Sequence, residues 1–118
     1  LLEYVALDVK APFSRYPEFT GVPEDMTPAV RESIGLLRKS GVDYELRTTC
    51  APGLSPQDLH HIAQAIQGTA RYVLQPFFVP REKELVDPEW ARRPRLSARQ
   101  LRSLARELSS SVPCTVRA

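Results

Sequence analysis

Residues 42–77 read VDYELRTTCAPGLSPQDLHHIAQAIQGTARYVLQPF, and this stretch decides the fold. Asp43–Cys50 alternates, with Tyr44, Leu46 and Thr48 on one side and Glu45, Arg47 and Thr49 on the other, as a strand does. Ser55 then stands as a helix N-cap, Pro56 takes the first helical position where its missing N–H costs nothing, and Asp58 sits near the positive helix start. Leu59, Ile62, Ala63 and Ile66 make one apolar stripe, and Gly68 stops the helix. A second strand follows over Arg71–Phe78, with Val73, Gln75 and Phe77 facing away from Tyr72 and Leu74.

Outward from this unit the same signals repeat. Upstream, a strand over Tyr4–Val9 precedes a helix with Thr27 as cap, Pro28 at its first position, Val30, Ile34 and Leu37 as its stripe, and Gly41 as its stop. Downstream, Ser97 and Gln100 form a capping box, Leu96 and Leu101 a hydrophobic staple, and Leu101, Leu104, Ala105 and Leu108 the buried stripe. A short strand over Cys114–Arg117 closes the series. The order is βαβαβαβ, which predicts an α/β fold with parallel strands and right-handed crossovers. Two long connections, Ala11–Met26 and Pro80–Arg95, are of a length often given to function.

With 118 residues and 42% apolar side chains, the chain has one domain's length and enough apolar surface for one modest core. That excludes a disordered tail, and no apolar run is long enough for a membrane span. Two cysteines, Cys50 and Cys114, are too few for a disulfide framework or a four-cysteine metal site. Both read as small hydrophobes. His60 and His61 are adjacent and so point apart, unlike a metal pair at i, i+4 on one helix face. Trp90 reads as pinning its loop or as covering a partner surface. The chain opens on Leu1 directly into an apolar run, with no leader signal, which suggests a start in mid-fold and a reducing cytoplasm as the location. Residues 1–80 carry seven basic and nine acidic side chains, and residues 81–118 nine and five. The basic excess includes Arg95, Arg99, Arg102 and Arg106, spaced along one helix face. No aromatic residues interleave them for base stacking, so the reading is a solvated face and nucleic acid is not expected as a partner.

The polar faces of the strands are the informative feature. Asp8 and Lys10 share a face near the carboxyl end of the first strand, Arg47 and Thr49 the matching face of the second, and Gln75 that of the third. Ligands of parallel α/β sheets and barrels bind at the carboxyl ends of the strands, so these five residues could converge on one pocket. Lys10 and Arg47 suit a carboxylate or phosphate, and Asp8 a cation or ammonium group. The alternative is an ion-pair network that merely holds the strands, a poor source of stability if buried.

The strings YVALDVKAP, YPEFTGV, VDYELRTTCAPGLSPQDL and RYVLQPF resemble the radical S-adenosylmethionine activating enzymes of glycyl-radical enzymes. The likeness is nearest to the activating proteins of anaerobic ribonucleoside-triphosphate reductase, with pyruvate formate-lyase activating enzymes next. Asp8-Val9-Lys10 is similar to the family's D-x-K motif, Tyr16 to Gly21 to its Y-x-x-x-T-G, and Arg47 to Gly53 to its R-x-x-x-x-P-G. The resemblance implies the C-terminal half of a partial (β/α)6 TIM-like barrel, a single partial domain over residues 1–118. It implies S-adenosylmethionine and a [4Fe-4S] cluster as cofactors and a glycyl-radical enzyme as protein substrate. It also implies an electron donor such as flavodoxin or ferredoxin. Carried over, Asp8 and Lys10 resemble the pair near the methionyl end of S-adenosylmethionine, Asp8 directly or through a monovalent cation. Arg47 resembles the arginine that holds its carboxylate. Thr49 and Gln75 complete the expected cofactor-binding set.

The chain departs from the family in lacking the C-x-x-x-C-x-x-C cluster motif and the Gly-rich segment of the first half-barrel. Where related activases often carry a His, it has Phe77-Phe78-Val79-Pro80. On this reading the isolated chain lacks the cluster ligands and is inactive alone. The residues also allow two rival readings: a non-redox barrel-type enzyme half with Lys10 as a Schiff-base amine, and a binding module working through the Arg95–Arg106 face.

Overall fold

The computed structural model describes residues 4–12, 27–77 and 95–117. Tyr16–Gly21, Phe78, most of both long connections and Trp90 lie outside the described residues. The elements are β1 (Tyr4–Asp8), α1 (Thr27–Ser40), β2 (Asp43–Cys50), α2 (Pro56–Ala65), β3 (Tyr72–Pro76), α3 (Ala98–Leu108) and β4 (Cys114–Val116). The βαβαβαβ order is as expected; β1, β3 and β4 are shorter than expected by one or two residues at their ends, the usual uncertainty of element boundaries.

The starts of α2 and α3 follow the capping chemistry, whereas Thr27, expected as the cap of α1, is already its first helical residue. At α2 the Ser55 hydroxyl accepts from Asp58 N–H at 3.1 Å, and the Asp58 carboxylate accepts from Ser55 N–H at 2.9 Å, a reciprocal capping box. At α3, Ser97 and Gln100 do the same at 3.1 and 2.8 Å. Gly41 at φ 75° and Gly68 at φ 90° take the left-handed conformation that follows α1 and α2. After α3 the chain has no glycine, and serines finish the helix instead: Ser109 Oγ donates to Ala105 O at 2.8 Å and Ser110 Oγ to Glu107 O at 3.0 Å.

The four strands form one parallel sheet in the order β1-β2-β3-β4. Consecutive order with crossovers of one hand carries the three described helices to the same side. The core agrees. Leu46, Tyr72 and Leu74 from the strands form one cluster with Ile34 of α1, Leu59 and Ile62 of α2, and Leu101, Leu104 and Leu108 of α3. Thr48 lies within this layer with its polar group satisfied. Its hydroxyl donates to Val9 O at 2.7 Å, which leaves it to accept from the Tyr72 hydroxyl.

On β1 and just past it, Val5, Leu7 and Val9 share the face of Tyr44 and Leu46, the side toward the helices. Val9 is buried and Leu7 partly so, but Val5 is 37% exposed. Among the described residues β1 is an edge strand, so nothing covers its outer flank.

Candidate functional site

The opposite side of the sheet carries the polar residues. Strand register places Asp8 directly opposite Arg47, and Thr49 directly opposite Gln75. Arg47 Nε lies 3.3 Å from Asp8 Oδ1. That oxygen is not aligned with the N–H, and Nε is buried without a hydrogen-bond partner among the described residues. Thr49 Oγ1 donates to Gln75 Oε1 at 3.4 Å, a long bond on an exposed part of the face. The ladder continues past β1, Val9 N–H donating to Arg47 O at 2.7 Å, and Lys10 follows as an exposed residue in the same alternation as Asp8.

The five expected residues thus occur as two cross-strand pairs plus Lys10, all at the carboxyl half of the open face. The Asp8 and Arg47 side chains are 52% and 30% exposed, so the pair is not a buried ion-pair network holding the strands. Two surface concavities lie elsewhere: one of about 340 Å³ beside Arg31, Gly35, Arg38 and Ala65, and one of about 260 Å³ beside Gly53, Pro56 and Leu96.

Toward the amino ends of the strands the same face holds a network that the sequence did not single out. Arg117, just after β4, reaches across β3 and donates to Glu45 Oε2 at 2.9 Å and Oε1 at 3.0 Å. The Tyr4 hydroxyl donates to the same carboxylate, and Arg71 Nη1 donates to Tyr4 at 3.4 Å with its guanidinium 5.8 Å from the ring centroid. Glu45 is 2% exposed at its side chain. The Arg117 guanidinium, then the Tyr4 hydroxyl, hold its carboxyl below the ordinary value against the opposing effect of burial. Val73, on the same face between them, is 3% exposed although it lies outside the helix-side core. Alternation had placed Glu45 with Arg47 on this face, but only the pairing of β3 with β4 reveals that Arg117 reaches it.

The remaining candidates fall on the helix side or on the helices. Cys50 is buried, and burial pushes its thiol up to about 12; Cys114 is raised likewise to about 12. Both behave as hydrophobes rather than nucleophiles. His60 pairs with Glu107 at 3.0 Å across α2 and α3, and His61 is exposed. Arg95, Arg99, Arg102 and Arg106 are all exposed. No group of His, Cys, Asp and Glu that could hold a metal occurs among the described residues. No helix among them is long and apolar enough to cross a membrane.

Ligands of parallel α/β proteins bind at the carboxyl ends of the strands, and the paired polar groups among the described residues stand at that half of the sheet. Against known proteins, the chain is similar to one from Methanocaldococcus jannaschii that carries the provisional name glycyl-radical enzyme activating enzyme. The two are 32% identical over 110 residues, which cover 90% of this chain and 45% of the relative. The chain therefore spans less than half the length of that relative. No protein-family model and no solved structure matches the chain. The relative's name agrees with the activating-enzyme resemblance carried by Asp8-Val9-Lys10 and by Arg47 to Gly53.

Proposed function

We propose that this chain is the C-terminal half of a radical S-adenosylmethionine activase barrel that generates a glycyl radical on a partner enzyme, anaerobic ribonucleoside-triphosphate reductase being the partner favoured by its motifs. The observation that carries the reading is the one-sided sheet. Parallel sheets normally have both faces covered. Among the described residues the strands run in simple order β1-β2-β3-β4, the three helices lie on one side, and the other side bears Asp8, Arg47, Thr49 and Gln75 in register. Closing such a sheet with further strands of the same kind would turn that face inward as the lining of a barrel.

The donor set fits the amino-acid end of S-adenosylmethionine. The carboxylate needs a cationic donor, and Arg47 has a buried Nε with no aligned acceptor. Asp8 and Lys10 supply one charge of each sign beside it, and Thr49 and Gln75 supply neutral polar groups. When bound, S-adenosylmethionine would supply the radical chemistry that the resemblance implies, with Arg47 holding its carboxylate and Asp8 and Lys10 flanking its amino-acid end. The described residues of this chain bind and orient; they do not fit the iron–sulfur cluster, since none of them forms a cysteine cluster and Cys50 is buried in the helix-side core. An electron donor of flavodoxin or ferredoxin type and a cytoplasmic location belong to the same proposal.

The test is anaerobic reconstitution of the full-length protein with iron and sulfide. The expected result is the broad visible absorbance of an iron–sulfur cluster and, on reduction, cleavage of S-adenosylmethionine to 5′-deoxyadenosine and methionine. A protein that takes up no cluster and leaves S-adenosylmethionine intact overturns the reading.

A further inference from the structure

We propose that Arg117 is a positioning residue for Arg47: by holding the Glu45 carboxylate it keeps that anion from capturing Arg47, and so leaves Arg47 directed to a ligand's carboxylate. Glu45 and Arg47 stand two residues apart on the same face of β2, with Cα atoms about 6.7 Å apart, within the span of an arginine side chain. Glu45 is buried, and a buried carboxylate demands a partner. Three guanidinium groups stand near it: Arg47 on its own strand, Arg71 just before β3, which is taken up with Tyr4, and Arg117 from beyond β4. Arg117 takes it through two parallel N–H···O bonds at 2.9 and 3.0 Å, the geometry in which arginine binds carboxylates most strongly. The Tyr4 hydroxyl adds a third donor, and Arg71 braces Tyr4. With Glu45 satisfied, the Arg47 Nε meets Asp8, its register partner on β1, without a good hydrogen bond. Removing Arg117 would leave a buried anion two residues from an under-used cation on the same face, and the two would pair.

This rests on the reading that Arg47 binds the carboxylate of S-adenosylmethionine, and the experiment has one arm for each claim. In the full-length protein the Arg47 Nε–H resonance is followed by NMR with arginine labelling, and the dissociation constant of S-adenosylmethionine is measured by calorimetry. The variants are Arg117→Met, Arg117→Lys and Glu45→Gln combined with Arg117→Met. In Arg117→Met the Arg47 resonance is expected to shift and S-adenosylmethionine to bind about tenfold more weakly, the loss of one charge-assisted contact. Arg117→Lys, which keeps the charge but not the fork, should fall between, and it serves if the methionine variant does not fold. Neutralising Glu45 in the double variant should return both readouts close to wild type. A folded Arg117 variant whose Arg47 resonance does not move overturns the inference, whatever its affinity. A wild-type protein that binds no S-adenosylmethionine overturns the functional reading instead, and the resonance still decides the role of Arg117.

Discussion

Arg47 and Asp8 face each other directly across the β1–β2 ladder, yet their 3.3 Å contact leaves the arginine Nε without an aligned acceptor. An exposed pair of this geometry contributes little to stability. Arg47→Gln is therefore expected to change the melting temperature only slightly. Its effect should appear in ligand affinity: S-adenosylmethionine binding to the full-length protein should weaken about tenfold to hundredfold, the worth of a charged hydrogen bond. A thermal melt and a calorimetric titration check the two halves of this expectation, and a large loss of stability with unchanged affinity would reverse it.

The Glu45 network predicts an acid sensitivity with a definite sign. Its carboxyl is held below the ordinary value by Arg117 and Tyr4, so the unfolded chain binds a proton more readily than the folded one. The stability this supplies is complete above the ordinary glutamate value and is lost as pH falls through the depressed folded value. Thermal melts taken from neutral pH into the acid range should fall more steeply for wild type than for Glu45→Gln. Parallel curves would refute the assignment.

Within the helix-side layer, Thr48 couples Val9 O to the Tyr72 hydroxyl. Thr48→Val removes the hydroxyl and strands both partners in the core, at a cost of about 1–3 kcal/mol. Adding Tyr72→Phe to that variant should cost less than Tyr72→Phe does alone, because its partner has already gone. A denaturant double-mutant cycle measures the coupling, and strict additivity would show that the bond carries none.

Cys50 and Cys114 should resist alkylation. With both thiols raised to about 12, the thiolate fraction at neutral pH is negligible. Iodoacetamide should label neither in the folded protein, and both once denaturant unfolds it, as mass spectrometry would report. Rapid labelling of Cys50 under native conditions would contradict its place in the core.

Local chemistry made much of this architecture readable before any coordinates. Ser55 with Pro56, and Ser97 with Gln100, start helices because side-chain oxygens satisfy the first N–H groups, an interaction contained within four residues. Strand alternation likewise separated Leu46 from Arg47. The Arg117–Glu45 pair was not readable, because it joins residues 72 positions apart and exists only once β2, β3 and β4 are in register. The same limit hid the exposure of Val5, whose apolar character says nothing about which strand stands at the edge. Asp8, Arg47, Thr49 and Gln75 could be assigned to a common face, but their pairing two by two depended on the register.

The simple succession of strands also bears on how the chain is made. Each strand pairs with the one that precedes it in the sequence, so no pairing must wait for a distant segment to arrive. The loop closed at each step is a single βα unit, which keeps the entropy lost at each step small. A ribosome feeding out this chain would present every new strand with a template already in place, and the sheet could grow in the order of translation.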